Sequence, residues 1–265
     1  TPVTPRRQRQ MCIRDSTYGF EPEADLRASD VRTEIEGTSF RLVVGGERQV
    51  DLYTTLTGRH NVLNLLAAVG AVSALGVDPV KAAQGAAQLD GVPGRLQRIL
   101  PAGDLHVFVD YAHTPEALEE VLSFVRSSGG GDLVCVVGCG VDRDRAKRPR
   151  MARSAATLCT KAGLTSDNPR SEDPDAILRD MEAGVPADAQ ARVQTVPDRR
   201  EAIERAILEA PPGACIVVAG KGHETLQIIG HRRMHFVGAG VVRRALALRF
   251  RVRVGCEAPG LARDS

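Results

Sequence analysis

The sequence has no dominant charge, no long apolar run and no paired cysteines, and each absence argues against a class of function. Its 35 basic and 33 acidic residues leave a net charge of +2, which does not favour nucleic acid or an anionic membrane surface as a partner. No stretch of about 18 apolar residues exists and the start lacks a signal-peptide pattern, so we expect a cytoplasmic protein. With 265 residues and 43% hydrophobic content, one large or two ordinary domains can form a core.

Metal and phosphate-loop signatures are missing as well. The histidines have no ligand spacing with acids or cysteines, so a zinc site is not expected, and neither GxGxxG nor GxxxxGK[ST] occurs. Two of the cysteines lie in apolar runs typical of buried strands, and only Cys139 is near a candidate site. The six cysteines, none in CxxC spacing, are Cys12, Cys135, Cys139, Cys159, Cys215 and Cys256.

The first part of the chain contains three kinds of segment. Residues 1–16 are basic and non-periodic, and we interpret them as a non-native artefact or, alternatively, a disordered basic arm. Gly45-Gly46 predicts the turn of a β-hairpin between residues 39–44 and 49–56. Helical spacing follows from Asn61 to about Leu75, and a second helix is predicted over 79–88.

After the turn-rich stretch 89–95, which we take as a domain boundary, strand-like and helical segments alternate. This alternation predicts a mainly parallel sheet that is covered on both faces, with ligands at the carboxyl ends of its strands. The predicted strands are 105–110, 132–137, 161–165, 192–196 and 214–219, and the predicted helices lie near 115–127, 146–159, 174–182 and 198–209.

The run Asp167-Asn168-Pro169-Arg170 follows the third predicted strand and combines an acid, an amide and a guanidinium. Proline fixes its own φ and favours extended geometry in the preceding residue, and an arginine fork pairs bidentately with a carboxylate. The run therefore predicts recognition of a ligand that carries both an ammonium and a carboxylate. An ordinary turn after a strand is the alternative, because Asn-Pro is a common loop signal.

Polar groups are also expected at the other strand ends. Asp110 and His113 suit ribose hydroxyls and phosphate oxygens, whereas Thr114 and Pro115 are typical of a helix start. The glycines of 138–145 allow the backbone to approach a ligand closely. The charged residues from Asp142 to Arg148 are alternatively the solvated start of a helix.

The last strand end, residues 220–224, contains a lysine and a glutamate. Lys221 is a candidate anion contact, and Glu224 could neutralise an ammonium opposite Arg170 or simply be a charge at the edge of a hairpin turning at Gly230-His231.

Six segments in register closely resemble the Mur ligases, and most closely the members that add diaminopimelate. The segments are GRHNVLNLLAA (58–68), GVPGR (91–95), DYAHTPEAL (110–118), GCGVDRDRAKRP (138–149), TSDNPR (165–170) and AGKGHE (219–224). The resemblance implies an α/β fold: the end of a central ATPase domain (17–90), then a Rossmann-like, mainly parallel C-terminal ligase domain (91–245), with 246–265 unassigned. We further expect a monomer that binds neither nucleic acid nor membrane.

The function implied by the resemblance is ATP- and Mg²⁺-dependent amide formation in peptidoglycan synthesis. In such ligases ATP converts the carboxylate of a nucleotide-linked peptide into an acyl phosphate, which the amine of the incoming amino acid attacks. The substrates implied are UDP-N-acetylmuramoyl-L-alanyl-D-glutamate and meso-diaminopimelate. The alternatives are a lysine-adding, folylpolyglutamate or cyanophycin synthetase-like ligase, or a non-catalytic binding module.

Matching the family's motifs residue by residue assigns two groups of site residues. The ATP-binding group is Asn61, Asn64, Arg95, Asp110 and His113. The diaminopimelate-binding group is Arg143, Asp167, Asn168, Pro169, Arg170, Gly220 and Glu224. The sequence departs from the family in lacking the P-loop, the magnesium ligands and the modified lysine, and in having Gln97 where glutamate is usual. We therefore expect this chain to be an inactive fragment with no certain catalytic residue.

Overall fold

The computed structural model describes residues 15–100, 102–129, 131–140 and 144–256, with side chains to 251. The chain divides into two compact units, Thr1–Asp90 and Gly91–Ser265. Almost all of the segment 1–16, the site residue Arg143 and the last nine residues lie outside the described residues.

The first unit contains a four-stranded sheet and two helices. Strand β1 (Tyr18–Gly19) is parallel to β2 (Leu26–Thr33), and β2, β3 (Thr38–Val44) and β4 (Arg48–Thr54) are antiparallel in that order. The predicted hairpin is confirmed as β3–β4.

Helices α1 (Arg59–Ser73) and α2 (Pro79–Ala87) complete this unit. One face of α1 carries Val62, Leu65, Leu66 and Val69 into a core shared with the sheet. Asp78 caps α2 by accepting bonds from the amides of the next turn, as is usual when proline occupies the first helical position.

The second unit is built around a six-stranded sheet in the order β5-β6-β10-β7-β8-β9. Five strands are parallel, and the short β5 is antiparallel to β6. The strands are β5 (Gln97–Arg98), β6 (His106–Val109), β7 (Leu133–Cys139), β8 (Lys161–Ser166), β9 (Val193–Thr195) and β10 (Cys215–Val218). The predicted alternating, mainly parallel architecture is confirmed.

Helices cover this sheet, and two further strands form a separate hairpin. The helices are α3 (Pro115–Gly129), α4 (Lys147–Leu158), α5 (Pro174–Glu182), α6 (Arg199–Glu209) and α7 (Gly238–Cys256). The hairpin strands are β11 (Leu226–Ile229) and β12 (Arg232–His235). Alternate residues of β6, β7 and β10 pack with α6 and α7 in one core cluster, while α4 and α5 pack on one another and on β7 and β8. Because β10 inserts between β6 and β7, the carboxyl ends of strands that are distant in sequence become neighbours.

Helix α7 extends the packed structure beyond residue 245. Leu246 is buried in the core cluster, and the buried Arg249 pairs with Asp104 at 3.1 Å and donates to the backbone oxygen of Ile207 at 2.6 Å. The sequence-based boundary at 245 therefore falls inside a helix that is anchored on both sides. Within the described part of the chain, none of the helices has the length and apolar character needed to cross a membrane.

Candidate functional site

A cavity of about 270 Å³ lies where the carboxyl ends of β6, β7, β8 and β10 meet. Each of these strands is followed by a loop that contributes to the lining, as the strand-end rule for parallel sheets predicts. The lining residues are Tyr111, His113, Gly138, Gly140, Lys147, Asp167, Asn168, Arg170, Gly220 and Glu224.

The loop after β8 is held in place by the hairpin β11–β12. The amide of Arg170 donates to the oxygen of Ile228 at 3.1 Å, and the amide of Gly230 donates to the oxygen of Arg170 at 2.6 Å. Arg170 has a left-handed φ of 43°, which is uncommon outside glycine, and its side chain is exposed. The hairpin therefore fixes the backbone while the guanidinium stays available at the cavity.

Asp167, Asn168 and Glu224 are joined by the buried ammonium of Lys221. Its Nζ lies 3.3 Å from Asp167 Oδ1, 3.0 Å from Asn168 Oδ1 and 2.8 Å from Glu224 Oε2, and the side chain is 1% exposed. A lysine has three N–H donors, so these contacts use all of them. The interpretation of Lys221 as an anion contact is therefore wrong: it is an internal cation beneath the cavity.

Glycines allow the strand ends to approach closely. A Cβ on Gly138 would lie 2.5 Å from the oxygen of Thr165, and one on Gly220 would lie 3.1 Å from Asp167 Oδ2. Gly220 also has a φ of 107°, which strains any residue with a side chain. Only glycine leaves space for the buried Asp167 carboxylate at this position.

Asp110, directly after β6, uses its carboxylate to join three segments. One oxygen accepts from the amide of Leu96 at 2.6 Å and the other from the amide of Ala112 at 2.7 Å. Its backbone oxygen accepts from the amides of Gly220 and Gly222. Asp110 is buried, and its structural role is to hold the loops on either side of the site together.

A basic and aromatic cluster lies next to the same strand end. The guanidinium of Arg95 is 5.2 Å from the ring centroid of Tyr111, and the His113 ring is 4.7 Å from that of Tyr111. His113 Nδ1 is 2.9 Å from the oxygen of Tyr111, which can only accept, so Nδ1 carries a proton. Lys147 Nζ contacts the oxygen of His113 at 3.2 Å. These groups can together receive an anion.

Two family models match the chain. One, described as "Mur ligase, glutamate ligase domain", matches residues 94–222, and the other, "Mur ligase middle domain", matches residues 4–72. The chain belongs to the Mur ligase family. The two matched stretches together make up most of the sequence. The stretch 94–222 contains all six strands of the second-unit sheet.

Similar Mur ligases include two curated proteins named UDP-N-acetylmuramoyl-L-alanyl-D-glutamate--2,6-diaminopimelate ligase. The one from Gloeobacter violaceus is 47% identical over 234 residues, which are 88% of this chain and 47% of that protein. The one from Trichormus variabilis is 45% identical over 231 residues, covering 86% of this chain and 46% of that protein. The chain thus spans about half the length of the curated relatives it matches.

Solved structures show the same relationship. A structure titled with that ligase name aligns with a TM-score of 0.65 and 38% identity over 89% of this chain and 48% of the other. A folylpolyglutamate synthase from Thermotoga maritima aligns with a TM-score of 0.59 and 22% identity, covering 74% of this chain and 44% of the other. At that identity the second likeness concerns the fold alone.

Of the residues assigned to diaminopimelate, five line the one cavity: Asp167, Asn168, Arg170, Gly220 and Glu224. Pro169 is buried between two of them, and Arg143 lies outside the described residues. The binding roles of all these residues stay predictions.

The residues assigned to ATP are distributed over both units. Asn61 and Asn64 lie on α1 of the first unit, where the Asn61 amide donates to the oxygen of Thr57 at 2.8 Å and the Asn64 amide to Asn61 Oδ1 at 3.3 Å. Arg95, Asp110 and His113 lie in the second unit.

Sequence reasoning missed Arg148, which supports the site from outside it. Arg148 is 1% exposed, and it binds both oxygens of Glu172 at 2.8 and 2.6 Å and Asp180 Oδ2 at 2.8 Å. The amide of Glu172 donates in turn to the oxygen of Pro169, so this pair connects α4 with the loop that carries Arg170. A solvated helix start, as the charge run suggested, does not describe Arg148. Arg148 is the second residue of α4, and no local pattern separates it from the exposed Arg145 and Arg150 on either side.

Arg199 is a second buried cation that the sequence did not reveal. It is 2% exposed and donates to the oxygen of Ala219 at 2.7 Å, while its Nε and Nη1 have no hydrogen-bond partner. Burial lowers the pKa of its guanidinium, and the nearby carboxylates of Asp167 and Glu224 oppose that effect. Two buried cations thus lie near the acidic groups of the site.

Two other kinds of chemistry find no support at the cavity. Cys139 is buried against Met151, and burial raises the pKa of its thiol to about 12, so it is not a reactive thiolate. Across the described ranges, no group of three or more histidine, cysteine or acidic residues is arranged to hold a metal ion.

Proposed function

We propose that this chain is part of an ATP-dependent ligase that joins meso-diaminopimelate to UDP-N-acetylmuramoyl-L-alanyl-D-glutamate, and that the cavity binds the diaminopimelate. The observation that supports this most is the lining of one cavity by Asp167, Asn168, Arg170 and Glu224. The names of relatives that are 45–47% identical agree with it.

The charges at the cavity suit a ligand with opposite charges. Arg170 provides an exposed planar fork for a carboxylate. The carboxylate of Glu224 provides an acceptor for an ammonium. The volume of about 270 Å³ is near the lower end of the about 300–1,000 Å³ usual for small-molecule sites, which suits an amino acid.

Diaminopimelate differs from lysine by one distal carboxylate, and this difference is what Arg170 would recognise. A site built to pair a charged group discriminates strongly against a ligand that lacks the partner group, because the site's group is left without it. Lysine is therefore the competing substrate that the charge of Arg170 disfavours.

The second unit also fits the phosphate part of ATP. Arg95 and Lys147 present donors beside His113 near the same strand ends, and we propose that they contact phosphate oxygens. When bound, ATP supplies the phosphoryl group that turns a carboxylate into a good leaving group. Among the described residues, no cluster of histidine, cysteine and acidic side chains is arranged to hold Mg²⁺.

In this scheme the residues of the chain bind and orient the amino acid rather than move its atoms. Arg170 holds one end of the ligand through its carboxylate while Glu224 holds an ammonium, which fixes the direction in which the remaining amine points. Orientation of this kind lowers the entropic part of the barrier for attack on the activated carboxylate. We further propose that the protein acts in the cytoplasm as a monomer on these small molecules.

Calorimetric titration of the chain with meso-diaminopimelate and, separately, with L-lysine tests the proposal. We expect saturable binding of meso-diaminopimelate and binding of lysine weaker by at least about 10-fold, the equivalent of about 1.4 kcal/mol. Equal affinities would favour a lysine-adding ligase. Binding of neither would remove the amino-acid assignment.

A further inference from the structure

Lys221 is buried beneath the cavity, and it contacts three of the lining residues without lining the cavity itself. Its ammonium donates to Asp167 and Asn168, which follow β8, and to Glu224, which is three residues further along its own loop. One cation therefore links two loops that are more than 50 residues apart in the sequence. The proposed function gives this residue no role.

The contacts of Lys221 determine how Asn168 is oriented. Asn168 Oδ1 accepts both from Lys221 Nζ at 3.0 Å and from the amide of Ile228 at 3.0 Å. Since both of these groups only donate, the oxygen of the side-chain amide must face them. The nitrogen of the amide is thereby directed to Glu224 Oε2, 3.0 Å away.

Glu224 is oriented by the same contacts. Oε2 accepts from Lys221 at 2.8 Å and from Asn168 at 3.0 Å, so this oxygen is fully engaged inside the protein. No donor among the described residues has a hydrogen bond to Oε1. That oxygen is the one through which Glu224 can accept an ammonium group from the cavity.

The charge state of Glu224 depends on the same surroundings. Burial alone would raise the pKa of its carboxyl, but the hydrogen bond and charge of Lys221, the amide of Asn168 and the charge of Arg199 lower it further than burial raises it. Asp167, on the neighbouring loop, shares the Lys221 cation. These are the charged groups that surround Glu224 from its own loop, from the end of β8 and from the start of α6.

We propose that Lys221 is a positioning residue that holds Glu224, both directly and through Asn168, in the orientation and charge state in which it receives the ammonium of the amino acid. The identity of that amino acid rests on the proposed function. The arrangement of Lys221, Asn168 and Glu224 does not depend on it, so the two can be tested separately.

The first test needs no ligand. Carbon-13 NMR of the glutamate side-chain carboxyls, with Glu224→Gln used to assign the signal, gives the titration of Glu224 in the wild type and in Lys221→Met. We expect the wild-type carboxyl to titrate below the ordinary 4.5 and the variant carboxyl to titrate above it. A wild-type value above 4.5, or equal values in both proteins, would overturn the proposal; the wild-type value alone decides if Lys221→Met does not fold.

The second test follows binding of meso-diaminopimelate by calorimetry between about pH 5.5 and 8. We expect Lys221→Met to bind on the order of 30-fold more weakly at pH 8, with a further loss as the pH falls and Glu224 becomes protonated. His113 is present in every variant, so differences between variants do not come from it.

Two variants complete the second test. Lys221→Met combined with Glu224→Gln is expected to bind weakly without the additional pH dependence, because glutamine does not titrate. Lys161→Met removes an exposed lysine at the start of β8 and is expected to bind as the wild type does. If the additional pH dependence persists without Glu224, Lys221 does not act through it. If the wild type itself does not bind, the proposed function fails, and the NMR titration still decides the role of Lys221.

Discussion

Among single residues, Arg170 combines an unfavourable backbone conformation with an exposed side chain. Its φ of 43° is maintained by backbone bonds on both sides to the β11–β12 hairpin. Strain of this kind tends to be found at functional positions, where the surrounding structure determines the conformation. The strain and the exposed fork together mark Arg170 as the residue whose substitution separates binding from stability.

Arg170→Ala is expected to weaken binding of meso-diaminopimelate by about 1.5–3 kcal/mol, roughly 10- to 150-fold, because a charge-assisted hydrogen-bonded pair is lost. Alanine has the same Cβ at the same φ, so the melting temperature is expected to change little. Arg170→Lys keeps the charge without the planar fork and is expected to recover only part of the affinity. Calorimetry and thermal melts measure both effects. Unchanged affinity in Arg170→Ala would contradict the carboxylate assignment.

The sequence predicted Arg170 and Glu224 but misjudged Lys221. Arginine after Asn-Pro and a glutamate after a glycine-flanked strand end are local patterns, and the strand-end rule is enough to bring them to one edge of the sheet. The burial of Lys221 depends instead on Asp167 and Asn168, which are 54 and 53 residues away. A lysine between two glycines has no local sign that its charge is enclosed.

At the scale of secondary-structure elements, the joint between α4 and α5 supports the loop that carries Arg170. Arg148 is almost completely buried and is neutralised by Glu172 and Asp180. Its hydrogen bonds lower the pKa of the Glu172 carboxyl, and those of Arg145 and Arg148 lower the pKa of the Asp180 carboxyl. Folding stability therefore depends on both carboxyls being ionised.

Arg148→Met is expected to destabilise the protein by about 3–5 kcal/mol, because two carboxylates lose their buried partner. The control is Arg150→Met, on the same helix as Arg148. It breaks an exposed ion pair with Glu116 of α3 and is expected to destabilise the protein much less. Urea unfolding at neutral pH gives both values. An equal effect of the two substitutions would show that the buried network has no special role.

The ion pairs of Arg148 with Glu172 and Asp180 also predict how folding stability depends on pH. A carboxyl with a lowered folded pKa contributes stability that is present above its unfolded pKa and is lost as the pH falls through the lowered folded value. For Glu172 and Asp180 the unfolded values are near 4.5 and 3.8, so the loss begins there and continues to lower pH. Urea unfolding of the wild type and Arg148→Met from pH 7 to 3 is expected to show the two stabilities converging. A constant difference would contradict the assignment.

Helix α7 illustrates what sequence patterns could and could not predict about elements. The run VVRRALALRF alternates basic and apolar residues, and its partners are far away in sequence: Arg249 pairs with Asp104, 145 residues earlier. Strand β2 was missed for a related reason, because a register shift between Ser29 and Arg32 and a left-handed Asp30 interrupt its alternation. The longer regular elements of the second unit, in contrast, were predicted from the spacing of their apolar residues and from the turn-forming residues between them.

Arg249→Met is expected to destabilise the second unit by about 3 kcal/mol, because the Asp104 carboxylate and the last carbonyls of α6 lose their buried donor. Arg251→Met, two residues further on the same helix and exposed, is expected to change stability by less than about 0.5 kcal/mol. Thermal and urea unfolding of the two variants measure this. Equal stabilities of Arg249→Met and Arg251→Met would mean that the end of α7 does not contribute to the fold.

At the scale of the whole molecule, the chain consists of two units of different architecture, and the cavity belongs entirely to the second. Parallel strands and their loops bring groups from four separate segments to one edge of the sheet: residues 111–113, residues 138–140 with Lys147, residues 167–170 and residues 220–224. Each segment was visible in the sequence as a polar run after an apolar one. Their mutual distances were not, because the insertion of β10 between β6 and β7 is a property of the complete sheet.

A crystal structure of the chain with meso-diaminopimelate would show whether the cavity binds this amino acid in the proposed orientation. We predict that the ligand occupies the cavity with one carboxylate on the guanidinium of Arg170 and an ammonium on Glu224 Oε1, while Lys221 keeps its three contacts. A ligand bound elsewhere, or with its carboxylate turned away from Arg170, would contradict the account.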